Sequence, residues 1–234
     1  MRVLKILKML AAGAVMMATL CVTANASAQT RFHAMGANGA RGSASGGGYT
    51  HWSNGATTHQ GGHWANGVNG GNFSGHNSYS SNSNGSAQAN FSNSGHTSSG
   101  GNFSSNGAYS RNTNGTWSGN SQSSGSGSRG SYQTSTTTAN GVTTHTATAT
   151  NANGQTYDHS GTYTQGQGYS RSGSGPNGSY NTAVSQANGT TTRSTGLTNA
   201  SGGSYNGSAS YTPGQGLTHT ASCTNASGAA VNCR

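Results

Sequence analysis

The sequence predicts an all-β chain whose C-terminal half is a repetitive antiparallel β-meander or a β-solenoid. Three observations lead there. Turn-type glycines recur at 141, 154, 166, 178, 189, 202, 214 and 228, the first seven of them 13, 12, 12, 11, 13 and 12 residues apart. The intervals are filled by Thr, Ser, Tyr, Ala and Gln, and Thr and Tyr favour a pleated backbone. Residues 131–178 slide onto 179–226 without a gap at 21 identical positions of 48. Each interval is therefore one strand plus a turn of about 12 residues, and four such intervals make one tandem unit.

The N-terminal 28 residues stand apart from any fold. Arg2, Lys5 and Lys8 make a basic start, residues 9–22 are an apolar run, and Ala26-Ser27-Ala28 is a small-x-small cleavage site. This is the pattern of a secretory signal peptide cleaved after Ala28. It predicts a secreted, cell-surface or periplasmic protein with no membrane span once the leader is removed. Cys21 follows Leu20, which is too large for a lipoprotein cleavage site.

Residues 29–130 are Gly-, Asn- and Ser-rich, with irregular short repeats. Asn-Gly falls at 38, 54, 66, 69, 84, 106 and 114, His51-Trp52-Ser53-Asn54-Gly55 returns as His63-Trp64-Ala65-Asn66-Gly67, and GGNFS occurs at 70–74 and 100–104. A 12-residue ruler slips here. The segment is expected to be loose or disordered, or a poorly registered run of strands. The stretch 121–131, SQSSGSGSRGS, has linker composition. The regular β-repeat domain, 131–234, comes after it.

Each tandem unit carries an Asn-Gly at its tenth position, Asn140-Gly141 and Asn188-Gly189, which suits a two-residue type I′ turn because both central residues need positive φ. Tyr132, Tyr157, Tyr180 and Tyr205 are 25, 23 and 25 residues apart, so they are expected to form a column on one face. Thr146, Thr148 and Thr150 alternate and belong on one face of a strand. Cys223 and Cys233 flank a Gly-containing turn, and an exported chain meets oxidising conditions, so they are expected to form a disulfide.

Composition excludes much chemistry. Charged residues are 5% of the chain, and Asp158 is its one acidic side chain. Paired carboxylates and acidic Ca²⁺ loops are thereby excluded. Asp158 and His159 are adjacent, so on a strand they face opposite ways and cannot act as a catalytic pair. The mature chain has no Lys for a phosphate loop. It is expected not to be an enzyme and to carry no cofactor. His51, His59 and His63 are candidate metal ligands, spaced without a helix to gather them, and the plainer reading is polar hydrogen bonding; Cys223 and Cys233 with His219 are the other candidate set, short of ligands.

After leader removal, seven arginines against one aspartate leave a net charge of +6. The arginines are scattered singly, which argues against specific nucleic-acid binding and for a general attraction to acidic polysaccharide or cell-surface material. Residues 29–234 hold six Val or Leu, four Phe and no Ile, too few for a packed core. A nearly uncharged polar sheet with few edge guards invites strand addition. The Ser-x5-Gln-x-Gly spacing of curlin subunits is not sustained, and the Gly-Gly-x-Gly-x-Asp repeat of calcium-binding toxins is absent. The sequence predicts an exported structural or matrix protein that pairs strands with itself. The alternative is a binding module that presents Thr, Tyr and His side chains to a glycan, ice or a metal.

Overall fold

The computed structural model describes residues 16–23 and 28–233. The leader's basic start and the Ala26-Ser27 part of its cleavage site lie outside the described residues. The chain divides into two compact units, Met1–Ser128 and Arg129–Arg234.

The first unit holds β1 (Met16–Thr23), β2 (Ala28–Gly39), β3 (Gly42–Ser53), β4 (Ala56–Gly67), β5 (Asn72–Ser81), β6 (Ala87–His96), β7 (Asn102–Arg111) and β8 (Trp117–Gly127). The second holds β9 (Gly130–Ala139), β10 (Val142–Asn151), β11 (Thr156–Thr164), β12 (Gly168–Gly175), β13 (Gly178–Ala187), β14 (Thr190–Asn199), β15 (Ser204–Thr212), β16 (Gly216–Thr224) and the short β17 (Ala230–Val231). Within each unit every strand pairs antiparallel with its neighbours in sequence. The architecture is a β-meander, not a solenoid, and no described residue is helical.

The duplication is visible in the strand limits. β9, β10, β11 and β12 begin at 130, 142, 156 and 168, and β13, β14, β15 and β16 begin 48 residues later, at 178, 190, 204 and 216. All eight glycines of the ruler have positive φ, from 74° at Gly166 to 127° at Gly178. Asn54, Asn140 and Asn188 have φ near 50° and precede Gly55, Gly141 and Gly189, as a type I′ turn requires.

The first unit is neither loose nor disordered: residues 28–127 form seven strands, β2 to β8. Its ruler is longer rather than absent. From β5 onward strands begin at 72, 87, 102 and 117, a period of 15. The extra residues are in the loops. Residues 82–86, 97–101 and 112–116 are five-residue connections in which the first N–H donates to the fifth carbonyl and the fourth N–H to the first carbonyl. The fourth residue is Gly85, Gly100 or Gly115, at positive φ, as in a type I turn closed by a G1 bulge. Loops 67–71, 151–155, 199–203 and 225–229 repeat the pattern. Where the first residue is Asn112, Asn151, Asn199 or Asn225, its Oδ1 accepts the fifth residue's N–H at 2.8–3.0 Å.

Two other expectations change. Asn106-Gly107 is not a turn but lies inside β7, where Gly107 sits against the Phe91 ring. The stretch 121–131, expected as a linker, ends β8 and begins β9.

Among the described residues neither unit shows a hydrophobic core. Ala87 is the one buried apolar side chain among the described residues and Thr182 the one buried polar side chain. Packing energy is instead gathered on the sheet surface, where rings lean over glycines of the next strand. Phe73 and Phe103 are both paired to Gly95 from opposite sides, and their rings stack above it at 5.6 Å. His63 extends this stack, 4.9 Å from Phe73. A Cβ on Gly95 would fall 2.7 Å from the Phe103 ring, so the glycine makes the stack possible.

Candidate functional surfaces

Side chains alternate between faces along each strand, so the register assigns every residue of the second unit to a face. One face collects Tyr132, Tyr157, Tyr163, Tyr169, Tyr180, Tyr205 and Tyr211. It also carries the histidines, Leu197, Leu217, Val184, Arg171 and Arg193. The opposite face is almost wholly Ser, Thr, Asn, Ala and Gly, with Asp158 as its one charge. Residues 72–126 of the first unit divide in the same way. Phe73, Phe91, Phe103, Tyr79, Tyr109 and Trp117 share one face, and Ser, Asn and Gln dominate the other. In β2 to β4 the large residues are mixed: Phe32, Tyr49 and Trp64 share a face opposite Trp52, His59 and His63.

The four tyrosines expected as a column share a face but not a line. Tyr132 and Tyr157 flank Ala149 in one row, whereas Tyr180 and Tyr205 flank Leu197 in another. The step comes from the tight Pro176-Asn177 turn. It pairs Gly175 with Gly178 and leaves Tyr180 two residues beyond the row of Tyr157. Tyr180 reaches instead across Gly173 to His159, whose Nδ1 is 2.6 Å from the tyrosine hydroxyl, with ring centroids 6.2 Å apart.

On the other face, neighbouring hydroxyls bond across strands. Ser160 and Ser172 are 2.9 Å apart, Thr190 and Thr212 2.8 Å, Thr192 and Ser210 3.1 Å, and Ser204 and Thr224 2.8 Å. Thr146, Thr148 and Thr150 lie on this face, and the Thr148 hydroxyl donates to Asp158 Oδ1 at 2.8 Å. Asp158 and His159 therefore serve different faces. Short side chains on β12 leave a trough of about 620 Å³ on the hydroxyl face, with Thr146, Thr148, Asp158, Ser172, Ser174 and Asn181 in its lining. A smaller hollow continues it towards β16, and another lies beside it over β11 to β14. Such a surface offers many hydrogen-bond donors and acceptors from Ser, Thr and Asn side chains, and its one charged side chain is Asp158.

The histidine candidates do not assemble as a set. His51 lies on the face opposite His59 and His63, and its Nδ1 is 2.7 Å from the Thr30 hydroxyl. His59 Nδ1 is 2.8 Å from the Thr50 hydroxyl and its ring stacks on His33, while His63 stacks on Phe73. Among the described residues no three His, Cys, Asp or Glu side chains come close enough to hold a metal ion.

Cys223 and Cys233 form the expected disulfide, with Cα atoms 5.3 Å apart. It holds β17 against the end of β16, where Cys223 pairs with Val231 and Thr224 with Ala230. Only these two of the nine β16 residues are covered on that side; Gly216–Ser222 have no partner there among the described residues.

The division of faces was open to sequence reasoning. It follows from combining odd–even alternation with the loop lengths, and only the loop lengths were missing. No protein-family model, curated protein or solved structure matches the chain.

Proposed function

We propose that this is an exported, non-enzymatic structural protein of the cell surface or extracellular matrix, acting through strand pairing between copies. The supporting observation is the β16 edge. The segment GLTHTAS, 216–222, offers its outer backbone groups with no Lys, no Pro and no charged side chain to deter a new strand. Natural sheets blunt such edges, and this one covers only its last two residues. In the first unit, β1 lies along the outer edge of β2. Cleavage after Ala28 removes β1 and bares that edge too, so export and assembly competence arrive together. An open edge on each unit supports heterologous, strand-to-strand addition between copies.

The test is sedimentation velocity on the exported chain with its disulfide intact, over a range of concentrations. Wild-type chains should grow into large species, and Thr218→Lys with Thr220→Lys should suppress that growth. A stable monomer at every concentration sinks the proposal.

A second reading has its own support in the hydroxyl-paved trough. A face of Ser, Thr and Asn with a single carboxylate is suited to a neutral, hydroxyl-rich ligand such as a glycan or an ice surface. The net positive charge adds a weak, non-specific pull towards acidic polysaccharide. Retention on insoluble polysaccharides that is lost on Ser172→Val with Ser174→Val would support it. Equal retention of variant and wild type would remove it.

A further inference from the structure

We infer that the tyrosine-bearing face of the second unit docks against the same face of a second copy, making a two-layer sheet. This rests on the self-association reading above and adds a surface to it: the sheet face as well as the edge. A sheet whose large side chains lie on one side is stable when that side is covered by another layer. Here nothing described covers it. Leu217 is 71% exposed, Tyr163 52%, Tyr211 51% and Leu197 47%. An uncovered apolar patch of this extent marks an interaction surface.

The relief of the face fits a copy of itself. Two bulky rows run across the strands, one through Tyr163, Tyr169 and Val184, the other through His159, Tyr180, Leu197 and Tyr205. Between them runs a row of His145, Gly161, Arg171, Thr182, Thr195, Gly207 and Ala221, low at Thr182 and Thr195 between the Arg171 side chain and the Tyr205 ring that leans over Gly207. Thr182, at the floor of this row, is 5% exposed. The low stretch at β13 and β14 is self-complementary under a two-fold axis, with bulky side chains of each copy seated over it in the other. The size is sufficient. Eight strands about 4.8 Å apart and roughly 27 Å long present about 1,000 Å², against about 800 Å² per partner in a standard stable interface. Arg171 and Arg193 share the face, one in the groove row and one in line with Val184. Both lie among tyrosines whose ring faces accept guanidinium groups.

The experiment compares three forms of the exported chain by sedimentation velocity: wild type, Tyr163→Thr with Leu197→Thr on the face, and Thr218→Lys with Thr220→Lys on the edge. The threonines keep strand propensity and replace exposed groups. The expected result is a dimer step in wild type and in the edge variant, weakened at least tenfold in the face variant. If the face variant associates as readily as wild type while the edge variant does not, self-association stands and the face docking falls. A wild type that is monomeric throughout overturns both. Independently of how the variants fold, tyrosine nitration of wild type should show Tyr163 and Tyr211 protected at high concentration. Equal reactivity at low and high concentration overturns the docking. So does a monomer whose tyrosines are protected only by an added neutral β-glucan, which would assign the face to a sugar.

Discussion

Residues 28–127 and 130–231 use the same parts on different rulers. Both are antiparallel meanders with glycines under aromatic rings and Asx-closed G1 loops. The first repeats every 14 to 16 residues between strand starts and the second every 10 to 14, with its pattern restored every 48. The difference teaches that strand and loop lengths can trade against each other while face alternation is kept. What must survive is the odd–even pattern, since a slip of one residue would send the tyrosines to the hydroxyl face. The second unit also has a staple, the Cys223–Cys233 disulfide, for which the first has no counterpart.

The comparison can be broken most strongly at that staple. Cys223→Ser with Cys233→Ser should cost about 3 kcal/mol by the loop-closure model. In urea titrations followed by hydrogen exchange, protection should fall in β15 to β17 and stay unchanged in β5 to β8. Next come the glycines beneath rings. Gly95→Val in the first unit and Gly173→Val in the second should each cost about 2 kcal/mol, because the added carbons meet the Asn72 carbonyl oxygen and Phe103 ring in one case and the Tyr180 ring and Asp158 carbonyl oxygen in the other. Similar losses of melting stability at the two sites would show one shared device; a loss at only one would separate them. The turn residues should matter less. Gly141→Ala forces an alanine to φ 77° and should cost about 1 kcal/mol. Asn112→Ala removes one of two Oδ1 acceptors of the Thr116 N–H, Asn114 keeping the other, and should cost about 0.5 kcal/mol, measured as a shift in urea midpoint at constant slope. The smallest effect belongs to Asp158→Asn. The amide oxygen still accepts from Thr148, so the midpoint should move by no more than about 0.5 kcal/mol.

Much of the second unit was legible from its residues. The turn glycines, the 48-residue offset, the I′ turns at Asn140 and Asn188, the shared face of Thr146, Thr148 and Thr150 and the disulfide all follow from local rules. Those rules need only a residue and its near neighbours. The tyrosine column failed because register accumulates across turns, and the Pro176-Asn177 hairpin shifts it by two residues. The first unit was misjudged because composition cannot separate a glycine in a turn, such as Gly85, from one beneath a ring, such as Gly107. Both lower local strand propensity, yet the second is what lets Phe91 lie flat. The His51, His59 and His63 set dissolved for a related reason. Their spacing says nothing until the turn at Asn54-Gly55 is placed, and that turn sends His51 to the other face.

The pairing of each strand only with its neighbours in sequence sets how a unit would respond to a pulling force. A chain pulled at the ends of a unit is not sheared along many hydrogen bonds at once. It is unzipped one strand at a time from an outer edge, and each strand-plus-loop of 12 to 15 residues releases roughly 40–50 Å of length. With so small a buried interior, each release resembles the one before. The unit would give way in small, repeated and reversible steps, as an extensible material does, with the disulfide as a knot that stops the last strand from running out.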